Sequence, residues 1–242
     1  MNRLKTILSL AVVATFAACN NTTTEETTET VAVVEQPKPL VQEVLTKEQR
    51  DALTYQEILQ SFVEGNDRFM ANDLTVRDHS AQVRNTASGQ FPKAVVLSCL
   101  DSRVPVEEVF DRGIGDIFVG RVAGNFVNED LLGSMEFGCK VAGAKLIVVL
   151  GHNHCGAIHA AIDDVQLGNI TAMLSKIKPA VAKVVYEGDR TSSNVEFVEM
   201  VCESNVQHTI EQIRLNSPIL KEMEDKGEID IVGATYNMET GK

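Results

Sequence analysis

Cys99, Asp101 and Arg103 stand at alternate positions directly after the apolar run Ala94-Val95-Val96-Leu97. In an extended segment, residues i, i+2 and i+4 point the same way, so a thiol, a carboxylate and a guanidinium are expected to face one cavity. A second apolar run, Lys145 to Leu150, is followed by Gly151-His152-Asn153-His154-Cys155-Gly156. Two thiolates and an imidazole form a borderline-soft donor set suited to zinc. Three protein ligands plus an open position is the pattern of a catalytic zinc, whereas structural zinc usually takes four protein ligands. One zinc per chain, held by Cys99, His152 and Cys155, is the expectation. Taken singly, each cysteine is more often a small buried hydrophobe than a ligand.

Both apolar runs are short and β-branched, as strands buried on both faces are. Parallel strands end on one edge of a sheet, where α/β folds bind ligands, and that edge brings the two motifs together. Asp116–Arg121 and Ile229–Ala234 supply two more strands. Thr46-x-x-Gln49 and Thr54-x-x-Glu57 fit the capping box, and Ile58, Leu59, Phe62, Phe69 and Met70 recur at helical spacing after it. Pro105 opens a short helix through Phe110, and further helices are expected over 129–142, after Gly156, over 169–186 and over 194–215; residues 72–92 read as irregular. Strands alternating with helices predict an α/β fold, a mainly parallel central sheet with helices on its faces.

The motifs Cys99-Leu100-Asp101-Ser102-Arg103 and His152-Asn153-His154-Cys155-Gly156 resemble the C-x-D-S-R and H-x-x-C-G patterns of the β-class carbonic anhydrases. The likeness runs from about Tyr55 to Gly241 and takes in Gly65-Asn66-Asp67-Arg68-Phe69 and Gly115-Asp116-Ile117-Phe118-Val119. It implies reversible hydration of CO2 to bicarbonate and a proton by attack of zinc-bound hydroxide. It implies that Asp101 and Arg103 are catalytic, with Asp101 either paired to Arg103 or, in a closed state, itself a metal ligand. It also implies that Gln90 hydrogen-bonds bicarbonate across a subunit boundary, that Phe118 and Ala123 wall the CO2 pocket, and that Gly156 lies on the substrate side. N-terminal helices packing on a second subunit, in a homodimer or dimer-based oligomer, belong to the same expectation. Val122 departs from the family, which commonly has asparagine there. Read from the residues alone, a carboxylate beside zinc can accept the hydrogen bond of a bound hydroxide while Arg103 holds that carboxylate at two points; an ordinary loop ion pair is the other reading of Asp101 and Arg103.

Residues 1–18 read as a signal peptide: Arg3 and Lys5 precede an apolar stretch, Ile7 to Phe16, too short to span a membrane. Phe16-Ala17-Ala18-Cys19 resembles a bacterial lipoprotein signal with Cys19 as the lipidated mature N-terminus; a plain signal peptide is the other reading. Residues 19–45, polar and with Pro37 and Pro39, read as the lipidated end and a flexible tether, and 46–242 as the zinc domain. The implied location is outside the cytoplasm, on the periplasmic side of a membrane or at the cell surface. The 242 residues carry a formal charge of -12, which argues against nucleic acid as a partner. Cys139 and Cys202 read as core residues or a disulfide, and His154 as solvent-facing or a proton shuttle.

Two other functions fit the same residues: a related zinc hydrolase, such as one acting on carbon disulfide, and a metal-binding lipoprotein without turnover. The second has no use for Asp101, Arg103 or Gln90.

Overall fold

The computed structural model describes residues 40–242. The expected signal peptide and Cys19 lie outside the described residues. Fourteen elements follow in order: α1 Lys47–Ala52, α2 Tyr55–Met70, α3 His79–Thr86, β1 Ala94–Ser98, α4 Val106–Val109, β2 Ile117–Arg121, α5 Glu129–Glu136, β3 Leu146–His152, α6 Gly156–Ile162, α7 Gly168–Leu174, α8 Lys178–Lys183, α9 Val195–Asn216, α10 Pro218–Asp225 and β4 Asp230–Tyr236. A π-helical turn, Phe137–Val141, continues α5.

All strand pairs are parallel and the spatial order is β2-β1-β3-β4. Every residue of β1 and β3 is buried, which is why their sequences are unbroken apolar runs. β2 and β4 are the edges, and β4 buries only Ile231 and Tyr236, its other residues being half-buried or exposed. After β1 the chain moves to one side to form β2, then returns past β1 to form β3. The strand order therefore reverses at β1, and the crevice beyond the C-terminal ends of β1 and β3 is the ligand position of such sheets. In register, Ser98 lies beside Leu150, so Cys99 and His152 both emerge there.

One apolar cluster, with Val95, Leu97, Ile147, Val149 and Ile213, covers one sheet face. A second, with Ile58, Phe62, Val96, Val148 and Phe110, covers the other. A third surrounds the crevice end and contains Cys99 and Cys155. Thr46 and Thr54 form the capping boxes that their spacing predicts. In α2, a Cβ on Gly65 would stand 2.0 Å from the Phe110 carbonyl oxygen, so only glycine permits α2 to lie this close to the end of α4.

Three expectations are corrected. The 72–92 stretch contains α3, started by Asp78, whose carboxylate accepts from the Ala81 N–H at 2.9 Å. The helix expected over 169–186 is two helices, because Pro179 has no N–H and seats itself in the first turn of α8. The tether does not reach residue 45: Val41 N–H donates to Val76 O at 2.9 Å, and Asp78 N–H donates to Val41 O at 3.0 Å. Gln82 and Asn85 further bind the carbonyls of Glu43 and Gln42.

Asp111 locks the end of α2 to the loop behind it. Its fully buried carboxylate accepts from Arg68 Nε at 2.6 Å, Arg77 at 2.6 Å, and the Thr75 hydroxyl at 2.6 Å. Burial raises its pKa, but these three partners outweigh that and hold it down to about 2. Asp111→Ala is expected to cost about 3–5 kcal/mol in urea unfolding, because it leaves the guanidiniums without a counter-charge. A loss below about 1 kcal/mol would contradict this role. The folded carboxyl titrates below its ordinary value of 3.8, so its contribution is present above that pH and is lost as pH falls toward about 2.

Candidate metal centre

The metal-ligating atoms of Cys99, His152 and Cys155 all lie within 4.8 Å of one another, and all three residues are buried. Cys99 follows the last residue of β1, His152 is the last residue of β3, and Cys155 caps the N-terminus of α6. The two sulfurs are 3.9 Å apart. Two thiolates each bound at about 2.3 Å to one tetrahedral ion would be separated by about 3.8 Å, so this spacing fits a shared zinc.

His152 supplies the decisive sign. Its Nδ1 is 2.7 Å from the Asn153 carbonyl oxygen, which fixes the proton on Nδ1. That leaves Nε2 as an acceptor, and Nε2 is buried with no hydrogen-bond partner among the described residues. A buried lone pair without a donor is costly in a folded protein, whereas a cation between it and the sulfurs satisfies it. The donor set is that of zinc rather than of magnesium or calcium.

The local electrostatics favour a cation too. Cys99 is pushed down, first by a hydrogen bond from the neighbouring Cys155 thiol and further by His152 and the Gly124 N–H. The same neighbour, together with burial, pushes Cys155 up. Burial opposes charge on His152, yet Cys99 and the Asn153 carbonyl raise its pKa. Two adjacent thiols that cannot both ionise alone do so readily around a divalent ion.

Asp101 stands at the rim, its Oδ2 4.0 Å from His152 Nε2. Arg103 grips it at two points, Nε to Oδ1 at 2.9 Å and NH2 to Oδ2 at 2.7 Å, and the Arg103 N–H also donates to Oδ1 at 2.9 Å. These contacts hold the Asp101 carboxyl down to about 2. Arg103 also reaches the His154 carbonyl at 3.2 Å, so one guanidinium ties the two motif loops together. Asp101 is therefore in the arrangement paired with Arg103.

The carbonic anhydrase family model matches residues 94–242. The chain belongs to the carbonic anhydrase family. Among its relatives, carbonic anhydrase 2 of Mycobacterium tuberculosis is 37% identical over 182 residues, covering 74% of this chain and 86% of that protein. A carbonic anhydrase of Mycolicibacterium smegmatis is 34% identical, covering 74% and 87%. The β-carbonic anhydrase CcaA has the same fold, with a TM-score of 0.61, 21% identity, and coverage of 77% of this chain and 86% of that one. The Coccomyxa β-carbonic anhydrase, solved with acetazolamide, gives 0.60 at 24% identity, covering 79% and 85%. The α/β fold with a parallel sheet is thus the β-carbonic anhydrase fold.

Two expected site residues, Gln90 and Phe118, lie apart from the sulfurs within one chain, whereas Ala123 and Gly156 lie beside them. Gln90 precedes β1 at the end opposite Cys99. Phe118 pairs with Val95, four residues before Cys99, or about 13 Å along the strand. Ala123 adjoins Gly124, whose N–H donates to Cys99 Sγ at 3.3 Å. Gly156 directly follows Cys155, and a Cβ there would meet nothing within 4 Å, so the space beside it is open. Val122, where asparagine is common, is half-buried and packs against two of the apolar clusters.

Other groups are clearer in three dimensions. Cys139 and Cys202 are buried free thiols, not a disulfide, and burial pushes each up to about 12. His154 is half-exposed and its Nε2 lies 2.8 Å from Glu239. Arg121 donates to the carbonyls of Cys99 and Asp101 at 3.4 Å and of Val104 at 2.7 Å, clamping the Cys99–Arg103 loop. Asn153 ties the second loop to the chain end, its side chain accepting from Met238 N–H at 2.9 Å. Neither clamp is visible as a motif; each depends on backbone carbonyls or amides that the sequence does not distinguish.

Proposed function

We propose that this β-carbonic anhydrase catalyses the reversible reaction of CO2 with water to give bicarbonate and a proton, with one zinc held by Cys99, His152 and Cys155. The observation that carries the reading is the buried, partnerless His152 Nε2 aimed at the two sulfurs, in a chain of this family. Bound there, zinc supplies a Lewis acid that lowers the pKa of a water molecule from about 15.7 to around 7. Asp101, at the rim, is an acceptor that orients a hydrogen-bond donor beside the metal. Its low pKa keeps it ionised and unable to donate at neutral pH. Arg103 keeps Asp101 off the metal, and Gly156 leaves room for a small substrate. Mixing the purified chain with CO2-saturated water and a pH indicator tests this: acidification well above the buffer rate is expected, and the buffer rate alone would oppose it.

The reading extends to an assembly and an address. Gln90 and Phe118 are far from the sulfurs in one chain, so they serve this chemistry only if a second copy brings them to the crevice. A dimer-based oligomer follows, in keeping with tetrameric β-carbonic anhydrases of Sordaria macrospora that share the fold at a TM-score of 0.58. A lipid on Cys19 would hold the enzyme at the outer side of a bacterial membrane. Cleavage after residue 18 removes Arg3 and Lys5 and leaves the chain still more acidic, so attachment to anionic lipid must come from acyl chains, and stable anchoring needs more than one. Cys19→Ser is expected to leave the protein unprocessed or to release it from membranes. Unchanged processing and membrane fractionation would oppose the anchor.

A further inference from the structure

Asn205 stands 81 residues from Gly124 in the chain, on α9, yet its Nδ2 donates to the Gly124 carbonyl at 2.8 Å. Gly124 in turn donates its own N–H to Cys99 Sγ at 3.3 Å. Asn205 is 1% exposed, and its Oδ1 is buried without a hydrogen-bond partner among the described residues. The amide orientation is fixed by chemistry: turned over, Asn205 would place oxygen against the Gly124 carbonyl oxygen.

Gly124 has little freedom to be anything else. Its φ is +84°, and an added Cβ would stand 2.4 Å from Ile177 Cδ1 and 3.3 Å from Ala157 Cβ. A left-handed glycine is a flexible link, so the direction of its N–H depends on what holds its carbonyl. Val122 O accepts from the Asn125 N–H at 3.0 Å on the one side. Asn205 holds the Gly124 carbonyl on the other. The buried polar amide thus fixes one backbone donor on one sulfur.

We propose that Asn205 is a positioning residue of the metal centre: through Gly124 it aims an N–H at the Cys99 thiolate, and so sets the strength and geometry of that sulfur as a zinc ligand. The inference rests on the zinc reading above. An N–H on a thiolate withdraws charge from sulfur and stabilises the anion in a low-dielectric pocket. Outer groups of this kind typically contribute 10- to 100-fold in metal affinity. A purely structural reading gives Asn205 a different role, satisfying one buried carbonyl, with no consequence at the sulfur.

The test uses full-length wild type and two variants, Asn205→Leu, which keeps volume without a donor, and Asn205→Ser, which keeps a short donor. Zinc affinity is read by competition with a chromophoric chelator, and the sulfur-to-metal charge-transfer band is read on the Co2+-substituted protein. The expectation for Asn205→Leu is roughly 10- to 100-fold weaker zinc and a charge-transfer band moved to longer wavelength, with Asn205→Ser between it and wild type. Wild-type affinity and an unmoved band in Asn205→Leu would overturn the proposal. Should Asn205→Leu fail to fold, Asn205→Ser decides alone: an unmoved band and wild-type affinity overturn it, and a shift in both upholds it. Wild type that binds no zinc would instead sink the zinc reading itself, so the two failures are told apart.

Discussion

Cys155→Ser is expected to lose zinc and CO2 hydration together while remaining folded. Cys155 is one of three ligands, and serine offers a harder oxygen that stays protonated at neutral pH. With two ligands left, the chelate no longer holds a divalent ion against buffer, and without the ion the acidity of water returns from around pH 7 to about 15.7. Turnover should therefore fall to the buffer rate. The fold should persist for a specific reason. Cys155 occupies the N-cap of α6 and makes no side-chain cap bond there, and serine is among the best N-cap residues. Cys99→Ser should match it in metal loss. Zinc content and far-ultraviolet circular dichroism on the same preparations check the pair: full zinc in either variant would remove that cysteine from the ligand set, and unfolding would show that the loss is not specific to the metal.

Arg103→Ala is expected to lower turnover while zinc stays bound. Two cations compete for Asp101: the guanidinium that now holds it through two contacts, and the metal beside His152, whose Nε2 is 4.0 Å from Asp101 Oδ2. Removing the guanidinium leaves an ionised carboxylate next to a divalent ion with an open position. Asp101 should then cap the metal and block that position. The same variant loses the link to the His154 carbonyl, which loosens the second loop and adds to the loss. Asp101→Asn tests the other half of the pair. It keeps shape, removes the charge that would cap the metal, and replaces a pure acceptor with a group that also donates. Zinc should stay, and activity should fall by roughly 10- to 100-fold or more, the scale of groups that act beside a metal without binding it. The measurement is CO2 hydration from pH 6 to 9 with zinc content for both variants. Wild-type turnover in Arg103→Ala across that range would reduce the pair to a loop ion pair of little consequence.

Sequence and structure agree best where chemistry and strand ends coincide. Cys99, Asp101, Arg103, His152 and Cys155 are legible because each ends or follows a fully buried strand, and such strands announce themselves as apolar runs. α3 was not legible. Its exposed residues are polar apart from Val83, only Ala81 and Gln82 are buried, and no apolar period marks it; the one usable sign is Asp78 as its cap. The one sign in the sequence of the break between α7 and α8 is Pro179, which has no N–H and seats itself in the first turn of α8. The docking of Val41 rests on two backbone hydrogen bonds, which leave no trace in residue type. Arg121, Asn153 and Asn205 act on backbone atoms distant in sequence, so nothing near them points to their partners. Gln90 and Phe118 were read from family resemblance, and one chain does not carry them to the sulfurs.

The most direct measurement of the central claim is metal analysis and CO2 hydration on one sample of the purified full-length chain. The account predicts one zinc per chain, with hydration abolished by a zinc chelator and restored by zinc alone. Hydration that proceeds without stoichiometric zinc, or one zinc per chain with no hydration, would contradict it.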